Sequence, residues 1–524
     1  MTVLRGRWRG RLGLLSTVGA LAFIAAPASA QTAPAAGALA EAQARIDDLQ
    51  RQVEALQQAV AEMRGGMAQP AGGSASESPP TPSPEAEPAV PSVSPSWSGA
   101  PEFEDEESGS SFKPKGFLQF DAGYVGYPDG NERRGTVSGL NYQNLGFNTR
   151  ARRIVLGVEG GLPGGFEYNA DFNFAQGDVD YEDLTLTYDF DDGPLSLTIG
   201  NFYPYYSLET MTSSRLGSML ERASFTDAFN YNRRLGMGLS LADEDDRAIL
   251  SAGIFSTPIN DGLFTRTGWE AAARGTYSPR VGNGFVHLGA SAHYRRNNRE
   301  SQAQQYRSRP LTQVTDQRFV DTGNLASKGD VSAGVELGGA FESLHFASEL
   351  QKLWVRHAYS PAELLLVNAN PDSNRTVPGN ATGLEGDPSF TGGYVELGYY
   401  LTGETRGYSG GRWGRTRVLN PFNRGGWGAF QVNGRFDYLD LSDRVDGSSS
   451  SVAAPVFVNG GKQLGYQVSL IWNPIDYVRF LAQYGRVGVT GGPRAAAAVP
   501  DSTEPLNRRD YSVDTAAVRA QVDF

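Results

Sequence analysis

The sequence predicts an all-β transmembrane barrel of about 16 antiparallel strands, preceded by a short N-terminal coiled-coil helix and a Pro-rich linker. Three observations predict it. The chain ends on an alternating strand, with Val518, Ala520, Val522 and Phe524 on one face and Arg519, Gln521 and Asp523 on the other. The same period of two recurs upstream, where Phe166, Tyr168, Ala170, Phe172 and Phe174 alternate with Glu167, Asn169, Asp171 and Asn173. The third observation is an export signal at the start of the chain. In a soluble sandwich the apolar strand faces would form a core. In a membrane barrel they meet lipid, and the polar faces line water. The terminal aromatic and the export signal select the barrel.

Residues 1–30 read as a signal peptide. Arg5, Arg7, Arg9 and Arg11 precede a short apolar stretch from Leu12 to Ala26, and Ala28-Ser29-Ala30 gives a small-residue cleavage site. The apolar stretch is short for a membrane span. Residues 37–64 carry a heptad seam, with Ile46, Val53 and Val60 at one position and Leu49 and Leu56 at the other. This spacing predicts a short coiled coil in the periplasm, with a dimeric lean if it stood alone. A lone amphipathic helix lying on another surface is the alternative. Residues 65–111 form a linker, first rich in Pro and Ser and then acidic at Glu102, Glu104, Asp105, Glu106 and Glu107. Such a stretch buries too little apolar surface to fold and is expected to act as a solvated spacer.

The barrel is expected over 112–524. Leu118, Phe120, Ala122 and Tyr124 alternate with Gln119, Asp121 and Gly123, and the pattern returns around 184–190, 286–295, 430–438 and 466–484. Roughly 410 residues at about 25 per strand and loop give about 16 strands. The sheet must close, because an open edge in hydrocarbon would leave backbone groups unpaired. A barrel of this size has an interior wide enough to hold water, so passive diffusion is the default function.

Composition narrows the remaining choices. The chain has 64 Gly, 23 Tyr and 26 Phe, which suits many turns and aromatic girdles. It has no cysteine, which excludes disulfides and thiolate chemistry. The net charge of −12 argues against nucleic-acid binding. No Gly-x-Ser-x-Gly stands in a strand-to-helix context and no Ser/His/Asp cluster emerges, so no enzyme and no cofactor are expected. His287 and His293 share a strand face but lie too far apart to bind one metal together.

Alternation also nominates the pore wall. Arg153 is in phase with Glu159 and out of phase with Ile154, Leu156 and Val158. Arg234 opposes Leu235, Met237 and Leu239; Arg274 opposes Ala271, Ala273 and Tyr277; Arg435 opposes Phe436 and Tyr438. A guanidinium on a pore wall attracts anions and presents a planar fork of donors to their oxygens. The competing role for each is to pair with an acidic wall residue and solvate the interior. Arg152 and Arg233 fall on the other phase, which suggests strand ends or the rim.

The blocks Arg152-Arg153 before Leu156-Gly157-Val158-Glu159-Gly160, Gly200-Asn201-Phe202, Thr212-Ser213-Ser214-Arg215, Leu220-Glu221-Arg222, Arg233-Arg234-Leu235-Gly236, Gly426-Trp427-Gly428-Ala429 and the closing Arg519 to Phe524 occur in this order. Together they resemble the phosphate-selective porin O/P family of Gram-negative outer membranes. The resemblance implies a 16-stranded barrel, a homotrimer in the outer-membrane lipid, and pores that pass small anions, phosphate or polyphosphate in some members. It also implies an infolded third loop, within about 203–230 here, carrying Arg215 and Arg222 as further anion-binding candidates. A trimer would override the dimeric lean of the heptads. Two positions depart from the pattern. Tyr203 follows Phe202 where many relatives have lysine, and Ile154-Val155 follow Arg153 where an arginine is common. A general porin, or one passing sugars or carboxylates, therefore stands as the alternative. So does an envelope tether that reaches peptidoglycan or a periplasmic partner through the coiled coil.

Overall fold

The computed structural model of the chain describes residues 96–524 other than 98, 106–107, 129–144, 191–192, 257–258, 260–267, 300, 370–375 and 447–452. The signal peptide, the coiled coil and most of the linker lie outside the described residues.

From Ser110 onward, sixteen strands form a single antiparallel ring. In chain order the first eight are β1 (Ser110–Val125), β2 (Gly146–Leu162), β3 (Phe166–Asn173), β4 (Asp180–Asp189), β5 (Leu195–Phe202), β6 (Arg234–Ala242), β7 (Ala248–Phe255) and β8 (Trp269–Tyr277). The second eight are β9 (Gly284–Arg296), β10 (Val320–Phe341), β11 (Leu344–Ala358), β12 (Ser389–Tyr400), β13 (Ala429–Asp443), β14 (Phe457–Ile475), β15 (Val478–Thr490) and β16 (Asp510–Asp523). Each pairs with its neighbours in sequence, and β16 closes the ring on β1 through Arg519↔Asp121 and Val522↔Leu118. Phe524 finishes the seam. It exchanges backbone hydrogen bonds with Gly116, at 2.9 and 3.0 Å. Closure satisfies every edge that hydrocarbon could not.

Alternation decides which side each residue faces. Leu156, Met237, Ile254, Leu350, Val395 and Tyr466 are exposed on the outside, whereas Asp121, Glu270, Glu336, Glu396 and Arg519 are buried inside. An apolar exterior around a charged interior is the inverse of a soluble domain and matches a bilayer solvent. No helix among the described residues is long and apolar enough to cross a membrane.

Two parts differ from the sequence expectation. The end of the linker is paired: Trp97 lies opposite Pro101, and Phe103 opposite Phe112 at the start of β1. The interior is also far from empty. The segment 203–233 between β5 and β6 turns inward, as the resemblance implies; the segment 303–319 before β10 and the segment 401–428 between β12 and β13, for which no infolding was expected, do so too. Their Tyr206, Leu208, Phe225, Phe229, Tyr306, Leu311 and Trp413 build an apolar cluster within the barrel. These side chains sit on short helices, short strands and turns, where the period of a long wall strand does not place them.

Candidate functional site

The segment 203–233 is held across the lumen by its own backbone. It contains two short helices, α1 (Leu208–Met211) and α2 (Ser224–Ala228). Their first N–H groups have no partner within the helix, and wall carboxylates supply one. Glu349 on β11 accepts from the N–H of Leu208 at 3.2 Å and of Glu209 at 2.7 Å. Asp437 on β13 accepts from the N–H of Ser224 at 2.9 Å and from its hydroxyl. Between the helices the loop carbonyls are met by wall donors. Arg519 donates to Leu220 O at 2.6 Å, Ser469 to Ser218 O at 2.6 Å, and Arg479 to Arg215 O at 3.0 Å. A loop buried this deeply must have its peptide groups paired.

The segment 401–428 meets this loop from the other side. Trp413 N–H donates to Thr212 Oγ1 at 3.3 Å, and Arg406 donates to Leu216 O at 3.4 Å while its guanidinium stacks 4.2 Å over the Trp413 ring. No residue pattern marks this second insertion, because its Gly- and Arg-rich stretch resembles an ordinary long turn.

The six candidate arginines occupy three kinds of environment. Arg234, Arg274 and Arg435 face the lumen and are held by carboxylates. Arg234 contacts Glu270 at 3.0 Å, Arg274 contacts Glu336 at 2.7 Å, and Arg435 lies between Glu396 at 2.5 Å and Glu209 at 2.8 Å. Arg215, on the loop, lies 3.8 Å from Asp523 and stacks near the Phe117 ring. Burial pushes its guanidinium down from the ordinary value, with Asp523 opposing. Arg153 and Arg222 have no carboxylate within ion-pair distance among the described residues. Arg153 donates to Gln119 Oε1 at 2.9 Å. Arg222 donates to Tyr203 Oη at 3.0 Å and to Thr212 O at 2.8 Å, and its Nε is buried without a partner.

Arg152 also reaches the lumen. Gln119 pairs with Arg153 and Phe120 with Ala151, so Arg152 is the extra residue of a β-bulge. A bulge sets two consecutive side chains on one side of the sheet. Arg152 thereby pairs with Glu221 of the loop at 2.8 Å, and Arg519 approaches the same carboxylate at 2.9 Å. Burial alone would raise the Glu221 carboxyl, but Arg152 and Arg519 hold it well below the usual range. Arg233, one residue before β6, contacts Glu182 and Asp183 at the strand end. Tyr203 sits between Arg222 and Arg233, whose guanidiniums lie 5.1 and 4.3 Å from its ring centre. Burial would raise its phenol; these two cations pull it down.

These groups surround a cavity of about 170 Å³ between the loop, β2 and the 303–319 segment. Its charged lining is Arg152, Arg153, Arg222 and Arg309 against Glu209, Glu221 and Asp227. All three carboxylates are already paired: Glu209 with Arg435, Glu221 with Arg152 and Arg519, and Asp227 with Arg309 and Arg318. The cavity therefore presents two uncompensated cations, Arg153 and Arg222, beside the hydroxyls of Thr210, Thr212, Ser213 and Ser214. Of the groups that build it, sequence reasoning missed Glu349, Asp437, Arg309 and the inward turn of Arg152. The inward phase of His345, Glu349 and Gln351 on β11 was the available signal for the first.

A family model described as phosphate-selective porin O and P matches residues 126–524. An uncharacterized protein of Caulobacter vibrioides is 36% identical over 453 residues, spanning 84% of this chain and 79% of its own length. Porin O of Pseudomonas aeruginosa is 25% identical over 391 residues, spanning 71% of this chain and 82% of its own length. Among solved structures, the outer membrane channel DcaP of Acinetobacter baumannii aligns at 12% identity and a TM-score of 0.43, covering 80% of this chain and 99% of that one. An anion-selective porin from Comamonas acidovorans aligns at 11% identity and a TM-score of 0.44, covering 79% of this chain and all of that one (100%).

Proposed function

Because the chain belongs to the phosphate-selective porin O and P family, we propose that this outer-membrane porin passes small anions in preference to cations, with oxyanions such as phosphate or polyphosphate favoured. Membership makes it a passive channel, not an enzyme. The preference rests on one observation. The cavity beside the infolded loop holds four arginines and three carboxylates, and every carboxylate is already tied to an arginine. Arg153 and Arg222 are left to attract the permeating ion. Part of each guanidinium's hydrogen-bonding capacity is already taken by Gln119, Tyr203 and Thr212, which favours weak binding and passage over trapping.

A general pore for sugars or carboxylates is the second reading, favoured by the hydroxyl and amide lining from Thr210, Thr212, Thr312 and Gln313. Uptake of phosphate and of a neutral sugar of similar size into liposomes bearing the protein separates the two. Faster phosphate entry supports the anion channel, and equal rates support the general pore. In the same proposal the protein acts as a homotrimer. Residues 1–30 are removed, and the coiled coil at 37–64 and linker at 65–111 extend into the periplasm, within reach of peptidoglycan. Channel conductance unchanged on deletion of 31–98 is the expected result.

A further inference from the structure

The outer half of the 401–428 segment is built unlike a turn in water. Leu419, Phe422 and Trp427 are 56%, 63% and 80% exposed, and Leu401 beside them is 61% exposed. The backbone that carries them is pinned. Val418 N–H donates to Asp476 Oδ1 at 2.7 Å, Leu419 N–H to Glu404 Oε1 at 3.3 Å, and Gly428 N–H to Asn420 O at 2.8 Å. Trp472 Nε1 donates to Trp427 O at 2.8 Å. Left-handed backbone at Gly425 and Gly428, with φ of 84° and 78°, turns the chain back so that the Trp427 ring projects outward. A rigid loop that presents three large apolar side chains is costly in water and marks an interaction surface.

Its neighbours identify the partner. The exposed rings are continuous with the lipid-facing wall of the barrel: Phe430 stacks on Trp472 at 5.9 Å, Trp472 on Phe480 at 5.5 Å, and Phe422 meets Trp472 edge-on at 6.5 Å. The loop lies at the end of the barrel where Phe524 closes the seam, since Arg415 contacts Asp523 and the Asp476 carbonyl. Two arginines flank the apolar group. Arg417 and Arg424 are exposed, and neither has a side-chain hydrogen bond or ion pair among the described residues. Aromatic rings settle at the depth of lipid headgroups, and arginines beside them reach the phosphates.

We propose that residues 417–428 form a lipid-interface anchor, in which Leu419, Phe422 and Trp427 enter the bilayer boundary and Arg417 and Arg424 bind anionic phospholipid headgroups. The anchor fixes the rim of the barrel that carries the inward-turned 401–416 stretch, so it steadies the lumen side from outside.

The test uses the full protein in phosphatidylcholine vesicles containing either brominated phosphatidylglycerol or brominated phosphatidylcholine. The Trp427 signal is the difference between wild type and Trp427→Phe. Brominated lipid is expected to quench it while aqueous acrylamide does not, with phosphatidylglycerol the stronger quencher. Arg417→Gln with Arg424→Gln should keep the ring in lipid but reduce the phosphatidylglycerol preference by about fivefold per arginine. Quenching by acrylamide alone would place the ring in water and overturn the proposal. Shielding from both quenchers would mean that a second copy or another protein covers the surface. Equal quenching by the two lipids would remove the anionic headgroup.

Discussion

Replacing Arg222 by glutamine probes the uncompensated charge directly. The side chain keeps its rough shape, but the cavity loses one of the two cations that no carboxylate neutralises. An anion passing about 4 Å away loses about 1 kcal/mol of attraction even at the dielectric of bulk water. That is about a fivefold drop in local anion concentration, and a lower effective dielectric beside the loop makes it larger. Physiological salt, with a screening length of about 8 Å, does not remove an interaction at this range. The assay is the reversal potential of the reconstituted channel under a KCl gradient, from which the anion-to-cation permeability ratio is read. The ratio should fall by about fivefold or more. Arg222→Lys should retain most of the preference, since it keeps the charge while losing the forked hydrogen bonds to Tyr203 and Thr212. Arg234→Gln combined with Glu270→Gln removes a wall pair that is already neutral and should leave the ratio alone. A ratio unchanged in Arg222→Gln, or shifted as much by the neutral double change, would show that Arg222 does not set selectivity by its charge.

The same geometry makes further predictions. Glu349→Gln and Asp437→Asn each remove one of the two acceptor oxygens that meet the start of α1 or α2, at about 0.5–1.5 kcal/mol per lost bond, so single-channel traces should show larger, flickering currents; steady wild-type currents would mean the loop is held otherwise. Glu221 carries a pH prediction. Its folded pKa is depressed, so the stability it contributes is complete above the unfolded value of about 4.3 and is lost only as pH falls further, through the folded value. Current noise that appears with a midpoint at or above that pH would contradict the Arg152–Glu221–Arg519 clamp. Gly200 has φ of 140°, and a Cβ there would overlap the Leu184 carbonyl. Gly200→Ala should cost about 1–3 kcal/mol and lower the fraction of folded, heat-modifiable barrel on gels, whereas an unchanged fraction would show that β4 and β5 can part to admit it.

Much of the barrel was legible because its solvent reverses the ordinary code. Val518, Ala520 and Val522 against Arg519, Gln521 and Asp523 already defined outside and inside, and the structure keeps that division. The bulge at Arg152 was not legible, because one inserted residue breaks the period that assigned its face. Nor were the ion pairs of Arg234, Arg274 and Arg435 with Glu270, Glu336 and Glu396. Register between strands far apart in sequence decides which charges meet, and alternation alone does not encode register. The infolded segments were the least readable of all. Phe225 on α2, Phe229 just beyond its end, and Trp413 in the second insertion pack inside a barrel whose walls are polar there, so their apolar character says burial without saying where. The 203–230 loop was placed through family resemblance; the 401–428 insertion had no such guide.

If the cations left unpaired beside the infolded loop make this pore anion-selective, single-channel recording of the wild-type protein in a planar bilayer will show it. A salt gradient should give a reversal potential of anionic sign, and added phosphate should reduce the chloride current by competing for the same arginines. A reversal potential of cationic sign, or chloride current indifferent to phosphate at every concentration, would mean that Arg153 and Arg222 do not set the pore's selectivity.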